Sequence, residues 1–224
     1  MEISTRIFGL VNNGSICYLN SVLQMLLSSE SFMKAVVKCE NKSPNIIVFN
    51  NFFKSAYENP LLNIKNIEDL KIVNPRAFIR EFIVNSDEQE DVGEFLIYLL
   101  DTVHETIKRP IKQVKEYSYI VPCFYSYFKT TISCENCGNT INKYEIISQI
   151  IVEISEETLV DCLKKLFQKE LLEDYKCDNC DKKNVSYKKV SPILFAQNLI
   201  IILMRFFDKN KKIIIPKDNL NIKG

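Results

Sequence analysis

One cysteine, Cys17, lies in a local sequence that favours a reactive thiol. A turn-rich segment, residues 12–15, precedes it, and apolar residues at helical spacing follow it: Leu19, Val22, Leu23, Leu26 and Leu27. Cys17 is therefore predicted at the first turn of a buried helix, where the positive end of the helix dipole favours a thiolate. Asn12 precedes it in the loop, and its amide can donate a hydrogen bond to a developing oxyanion. A buried structural cysteine after a glycine turn is the alternative interpretation.

Four of the eight cysteines form two Cys-x-x-Cys pairs, Cys134 with Cys137 and Cys177 with Cys180. A two-residue gap lets both sulfurs of a pair reach one ion at about 2.3 Å, and two pairs complete a tetrahedron. Without a secretory signal, such pairs favour a metal over disulfides. The spacing predicts a structural Zn²⁺ with four thiolate ligands and no open position for catalysis. Free thiols or a redox pair are the alternatives.

Helices must position Cys17, and they dominate the first half of the chain. We predict helices over residues 30–39 and 45–57 and from Pro75 to Val84. The segment Ser86–Gln89 has the form of a capping box, with Ser86 as the cap. The helix after it is expected to direct one apolar stripe inward: Val92, Phe95, Leu96, Leu99, Leu100, Val103 and Ile107.

Strands must bring the cysteine pairs together, and they dominate the second half. Residues 117–133, 142–154 and 183–190 are predicted to be strands, and residues 211–216 a further short one. Residues 156–172 are predicted to form a helix with Leu166 among its inward side chains. The apolar run Leu199–Met204 is typical of a strand buried on both faces. The predicted fold class is α+β, with a boundary near residue 112 between a helical lobe (1–112) and a strand-rich lobe (113–224).

Composition excludes several classes of function. The chain has 224 residues, of which 29 are basic and 28 acidic, so it lacks the charge that binding to nucleic acid or to an anionic membrane requires. No apolar run reaches the roughly 18 residues of a membrane span. The first eight residues contain no apolar signal-peptide core. We expect a protein of the cytoplasm or nucleus with neither nucleic acid nor membrane as a partner.

The segment Gly9–Gln24 resembles the Cys box of the ubiquitin-specific proteases, a papain-like family of deubiquitinating enzymes. Ten positions match the family pattern: Gly9, Leu10, Asn12, Gly14, Cys17, Tyr18, Asn20, Ser21, Leu23 and Gln24. Ser15 and Ile16 depart from it, since the family has Asn-Thr there. The resemblance implies that Cys17 is the nucleophile and that Asn12 helps to form the oxyanion hole.

Two later segments resemble the same family in the same order. They are the helical block from Gln89 to Glu105 and the stretch from Phe195 to Phe206. The resemblance implies a papain-like fold with a helical thumb, zinc-bearing β-rich fingers and an incomplete palm. It also implies that the four paired cysteines bind a structural zinc at the fingertips. Ubiquitin and ubiquitinated proteins are the partners that it implies.

The resemblance leaves the catalytic base unassigned. The family's catalytic histidine lies in a later block near a Gly-His-Tyr sequence, which these 224 residues do not contain. Their single histidine, His104, borders the apolar face of a helix and is expected to be a packed or capping residue. The chain is therefore expected to be a fragment of an enzyme, one part of a split enzyme, or a remnant without activity. A deubiquitinating hydrolase, a pseudo-protease that binds ubiquitin or scaffolds other proteins, and a zinc-stabilised interaction domain remain as hypotheses.

Overall fold

A computed structural model describes residues 9–39, 43–57, 72–82, 88–111, 114–204 and 212–215. Its contacts group the chain into two units, residues 1–123 and 124–224. The boundary that we predict near residue 112 falls inside the first of these units. None of the helices among the described residues has both the length and the apolar character needed to cross a bilayer.

Five helices contain most of the described residues of the first unit: α1 (Cys17–Ser28), α2 (Glu30–Lys38), α3 (Pro44–Tyr57), α4 (Arg76–Phe82) and α5 (Val92–Ile107). Two short sheets accompany them. Strand β1 (Gly9–Leu10) runs parallel to β2 (Ile72–Val73), and β3 (Arg109–Ile111) runs antiparallel to β4 (Val114–Tyr117). A short helix, α6 (Val121–Phe124), spans the junction between the units.

Aromatic rings hold helices α2, α3 and α4 together. Phe32, Phe49, Phe53 and Phe78 are each no more than 1% exposed. The ring of Phe53 lies 4.7 Å from that of Phe49 and 5.0 Å from that of Phe32, which are ordinary distances for packed aromatic pairs. Burial of these rings removes apolar surface from water and so stabilises the unit.

The structure places the start of α5 later than the sequence predicted. Its N-cap is Asp91, whose Oδ1 accepts hydrogen bonds from the backbone N–H groups of Gly93 at 2.7 Å and Glu94 at 3.0 Å. Gln89 is therefore outside the helix, and the predicted cap, Ser86, lies outside the described residues, as does Val84. Val92, predicted to point inward, is 45% exposed because it occupies the first turn.

The second unit is built on an antiparallel sheet with the strand order β6-β5-β9-β8. These strands are β5 (Ser126–Cys134), β6 (Thr140–Ile147), β8 (Glu170–Lys176) and β9 (Lys183–Leu194). A parallel pair, β7 (Gln149–Glu153) with β10 (Ile200–Met204), and helix α7 (Leu159–Leu166) complete the unit. Phe128, Val152 and Leu163, from β5, β7 and α7, meet in one buried cluster.

Several predicted elements of this unit are divided differently in the structure. Residues 117–133 contain the helical turn α6, and residues 142–154 form two strands because the ladder is interrupted at Ser148. Strand β10 is half-buried throughout, not buried on both faces. Of residues 211–216, only 212–215 are described, and they form a single bridge between Ile214 and Thr158.

The helix predicted over residues 156–172 is shorter at both ends. It begins after Thr158, whose hydroxyl caps it by accepting a hydrogen bond from the Asp161 N–H at 3.1 Å. It ends at Leu166, because Phe167 turns into the core and stacks on Phe128 at 5.9 Å. Leu166 is consequently 40% exposed, contrary to the prediction, and Glu170 already belongs to a strand.

Candidate active site and metal centre

Cys17 is the first residue of α1, as predicted. Its neighbours Ile16 and Tyr18 are 1% and 2% exposed, while Cys17 itself is exposed. The buried side chains on either side fix the backbone and leave the thiol outside. Ile16 is the N-cap and has no side-chain acceptor, so the N–H groups of the first turn receive no side-chain cap. The alternative of a buried structural cysteine does not describe this residue.

Helix α5 fixes the start of α1. The rings of Tyr18 and Phe95 pack edge to face with their centroids 5.2 Å apart. Gln89 lies two residues before the Asp91 cap, and its Nε2 donates a hydrogen bond to the Cys17 Sγ at 3.7 Å. Sequence reasoning placed Gln89 in the predicted capping box and gave it no role at Cys17, although it is the first residue of the second segment that resembles the family.

Asn12 is exposed in the loop before α1, and Asn20 holds its side chain. The Nδ2 of Asn20 donates to the Asn12 Oδ1 at 3.4 Å and to the Val11 carbonyl at 3.2 Å. Because the Asn12 oxygen accepts this bond, its Nδ2 is the atom left to donate elsewhere. An N–H donor of this kind is what an oxyanion hole requires. A left-handed turn at Gly14, with φ of 75°, carries the loop into α1.

Tyr18 and the acidic residues near it shape the local electrostatics. Burial raises the pKa of the Tyr18 hydroxyl, with smaller contributions from the negative charges of Glu90 and Cys17. Tyr18 therefore stays neutral at physiological pH and can act as a packing residue and hydrogen-bond donor but not as a base.

His104 lies on α5, and its Nδ1 is 2.8 Å from the hydroxyl of Ser118. Ser118 is 2% exposed, so this hydrogen bond lies in the interior of the first unit. The contact agrees with the expectation of a packed histidine and gives no support to a role as the catalytic base.

The two cysteine pairs meet at one end of the antiparallel sheet. Cys134 ends β5, and Cys177 follows β8. The sulfurs of Cys134, Cys137, Cys177 and Cys180 all lie within 4.8 Å of one another, and those of Cys137 and Cys177 are 3.7 Å apart. Four thiolates at about 2.3 Å from a tetrahedral ion would be about 3.8 Å apart, so the cluster has the donor set and the dimensions to hold a metal.

Backbone N–H groups aimed at the sulfurs stabilise thiolates in this cluster. The N–H of Cys137 is the main reason that the pKa of Cys134 falls to about 6, and the N–H of Lys182 lowers the pKa of Cys180. The N–H of Cys180 acts in the same direction on Cys177, but burial and the sulfurs of Cys134 and Cys137 outweigh it and raise the Cys177 pKa to about 11. Burial and the hydrogen bonds to the neighbouring sulfurs thus favour the protonated form of Cys177.

The family model described as ubiquitin carboxyl-terminal hydrolase matches residues 8–223. The chain belongs to this family. Ubiquitin carboxyl-terminal hydrolase 25 of Arabidopsis thaliana is 30% identical to it over 89% of this chain and 33% of its own length. The probable ubiquitin carboxyl-terminal hydrolase 16 of Schizosaccharomyces pombe is 26% identical over 90% of this chain and 47% of its own length. Hydrolase 4 of Vanderwaltozyma polyspora is 25% identical over 88% of this chain and 28% of its own length.

The solved structure of the SAGA Ubp8/Sgf11/Sus1/Sgf73 deubiquitinating module bound to ubiquitin aldehyde contains a chain with the same fold. The TM-score is 0.72 at 21% identity, over 96% of this chain and 53% of that one. This member of the ubiquitin carboxyl-terminal hydrolase family therefore spans between about a quarter and a half of the length of these relatives. The fold match confirms the predicted papain-like α+β architecture.

Proposed function

We propose that this chain carries the nucleophile of a deubiquitinating thiol hydrolase that cleaves after the C-terminal glycine of ubiquitin. The observation that supports this most strongly is the exposed Cys17 thiol at the start of α1, with the Gln89 amide on its sulfur. Membership of the ubiquitin carboxyl-terminal hydrolase family supplies the substrate class. Ubiquitin and ubiquitinated proteins are the proposed partners.

The proposed reaction begins when the Cys17 thiolate adds to the carbonyl carbon of the terminal glycine. The carbonyl oxygen becomes an oxyanion, to which the Asn12 Nδ2 donates a hydrogen bond. The C–N bond then breaks, the amine leaves with a proton, and a thioester remains on Cys17. Water then adds to the thioester carbonyl, the C–S bond breaks, and ubiquitin leaves with a free C-terminal carboxylate as the thiol is regenerated. A histidine outside these 224 residues would take the thiol proton and return it to the leaving amine.

The second candidate is a pseudo-protease that binds ubiquitin, or scaffolds other proteins, without hydrolysis. The contact between His104 and Ser118 favours it, because this histidine already forms a hydrogen bond inside the first unit. Loss of a general base typically lowers the rate by about 10²–10⁴. Binding and turnover therefore distinguish the two candidates.

Hydrolysis of ubiquitin that carries a fluorogenic amide at its C-terminus tests the proposal, alongside the binding of ubiquitin measured by titration calorimetry. The hydrolase predicts release of the fluorophore that is lost in Cys17→Ala, with binding retained. Binding without release supports the pseudo-protease. If the chain neither binds ubiquitin nor releases the fluorophore, both candidates are contradicted.

We also propose that the four-cysteine cluster holds a structural zinc. The supports are the four sulfur donors and their spacing. When bound, Zn²⁺ neutralises the thiolates and joins β5 to β8 without taking part in hydrolysis. Elemental analysis of protein purified without chelator is the test, and the absence of bound zinc would reject the site.

A cluster of reduced thiols fits a reducing compartment, so we place the protein in the cytoplasm or nucleus.

A further inference from the structure

The two cysteine pairs are equivalent in their backbone conformation. The carbonyl of the first cysteine accepts from the N–H four residues on, from Gly138 to Cys134 at 3.0 Å and from Asp181 to Cys177 at 2.8 Å. The residue after the second cysteine is left-handed in both pairs, with φ of 69° at Gly138 and 53° at Asp181. The residues at the third position of the two pairs therefore occupy equivalent positions on the backbone.

Both third positions hold an asparagine, and the two side chains donate across the cluster. The Nδ2 of Asn136 is 3.6 Å from the sulfur of Cys180, and the Nδ2 of Asn179 is 3.6 Å from the sulfur of Cys137. Each amide thus reaches the second cysteine of the opposite pair. The contacts join segments 44 and 42 residues apart in sequence.

We propose that Asn136 and Asn179 are positioning residues of the metal centre that fix the Cys137 and Cys180 sulfurs and delocalise their negative charge. Four thiolates around one divalent cation leave a net charge of about −2, which N–H donors to sulfur stabilise. Because the donation crosses between the pairs, it also holds the two pairs at the metal-binding distance. This inference rests on the proposed zinc site.

Neighbouring acidic residues provide matched controls. Glu135 and Asp178 occupy the second position of each pair and are exposed. Glu135→Gln and Asp178→Asn alter the charge beside the cluster but leave the crossed amides in place. If general electrostatics governed metal affinity, these substitutions would have effects as large as those of the asparagine variants.

Zinc affinity is measured by competition with a chromophoric chelator, using Zn²⁺ alone as the probe. Asn136→Ala and Asn179→Ala are each expected to weaken zinc binding by about ten-fold and the double variant by about 10²-fold, because each amide serves a different sulfur. Asn136→Asp, which keeps the shape but replaces the donor by an acceptor, is expected to weaken it further. The two control variants stay within about two-fold of the original protein.

The Co²⁺-loaded protein supplies a second readout. The thiolate-to-cobalt charge-transfer band is expected to shift in each asparagine variant, because the electron density on one sulfur changes, and to keep its position in Asp178→Asn. Unchanged affinity and an unchanged band in the single variants would overturn the role of the amides. Absence of zinc binding by the original protein would instead reject the metal site itself.

Discussion

At the residue scale, the Cys17 thiol depends on what its neighbours do. Ile16 and Tyr18 are buried on either side and hold the backbone, so the exposed thiol lies at a defined place. Asn20 orients the amide of Asn12, and Gln89 donates to the sulfur. The proposed chemistry therefore uses residues from the loop before α1, from α1 and from the segment before α5.

We predict that Asn12→Ala lowers the rate of ubiquitin-amide hydrolysis by about 10²–10³, which is the usual cost of losing one oxyanion donor. Its ubiquitin affinity should stay within about two-fold, since the hydrogen bond forms with the oxyanion and not with the bound substrate. Asn13→Ala, an exposed neighbour in the same loop, is the control. Equal rates for Asn12→Ala and Asn13→Ala would remove Asn12 from the reaction.

At the element scale, local capping sets the position of α5 and hence of Gln89. Asp91→Ala removes the acceptor for two backbone N–H groups and is expected to lower the free energy of unfolding by about 1 kcal/mol. Urea denaturation measures this. Glu90→Ala, beside the cap but outside the helix, should change stability by less than about 0.5 kcal/mol. Similar losses in both variants would show that charge, and not capping, is responsible.

Helix α7 offers a second matched pair. Leu163 is fully buried and Leu166, one turn later, is 40% exposed. Leu163→Ala should destabilise the protein by about 2–5 kcal/mol, because it leaves a cavity among Phe128 and Val152. Leu166→Ala should lower the free energy of unfolding by less than about 1 kcal/mol. Chemical denaturation of both variants checks the burial, and equal losses would contradict the early end of the helix.

Sequence periodicity was sufficient to predict α1, α2 and α3, whose buried faces follow a regular spacing. It failed at the start of α5, because Ser86 and Asp91 both have acceptor side chains and the capping-box pattern alone does not tell which of them caps the helix. It also failed at Leu166, since the apolar pattern continues through Phe167 while the chain has already left the helix to stack that ring on Phe128.

The candidate site also contains some residues that local sequence predicts and some contacts that it does not. Cys17 and the four paired cysteines could be selected from local sequence, because each lies in a short motif. The contacts of Gln89 with Cys17 and of Asn136 and Asn179 with the opposite cysteine pair join segments more than 40 residues apart. No local sequence pattern specifies such contacts, so only the three-dimensional structure reveals them.

At the scale of the whole molecule, Cys17 and the four-cysteine cluster belong to different units of the chain. We predict that chelation of the metal speeds hydrogen exchange in β5, β8 and β9, since the cluster fastens the end of their sheet, and leaves α1 and α5 unchanged. Mass spectrometry of the exchanged peptides measures both regions. A Cys137→Ser variant, already unable to complete the four-thiolate site, should show no further response to chelator.

Labelling by ubiquitin that carries an electrophile in place of its C-terminal carboxylate tests the central claim most directly, because it needs the Cys17 thiol and ubiquitin recognition together. Intact-mass analysis should show one ubiquitin added per chain, located on Cys17 by peptide mapping and lost in Cys17→Ala. Cys162→Ala, which removes a buried thiol of the second unit, should label as the original protein does. Absence of the adduct in the original protein, or its persistence in Cys17→Ala, would contradict the assignment of Cys17 as the nucleophile.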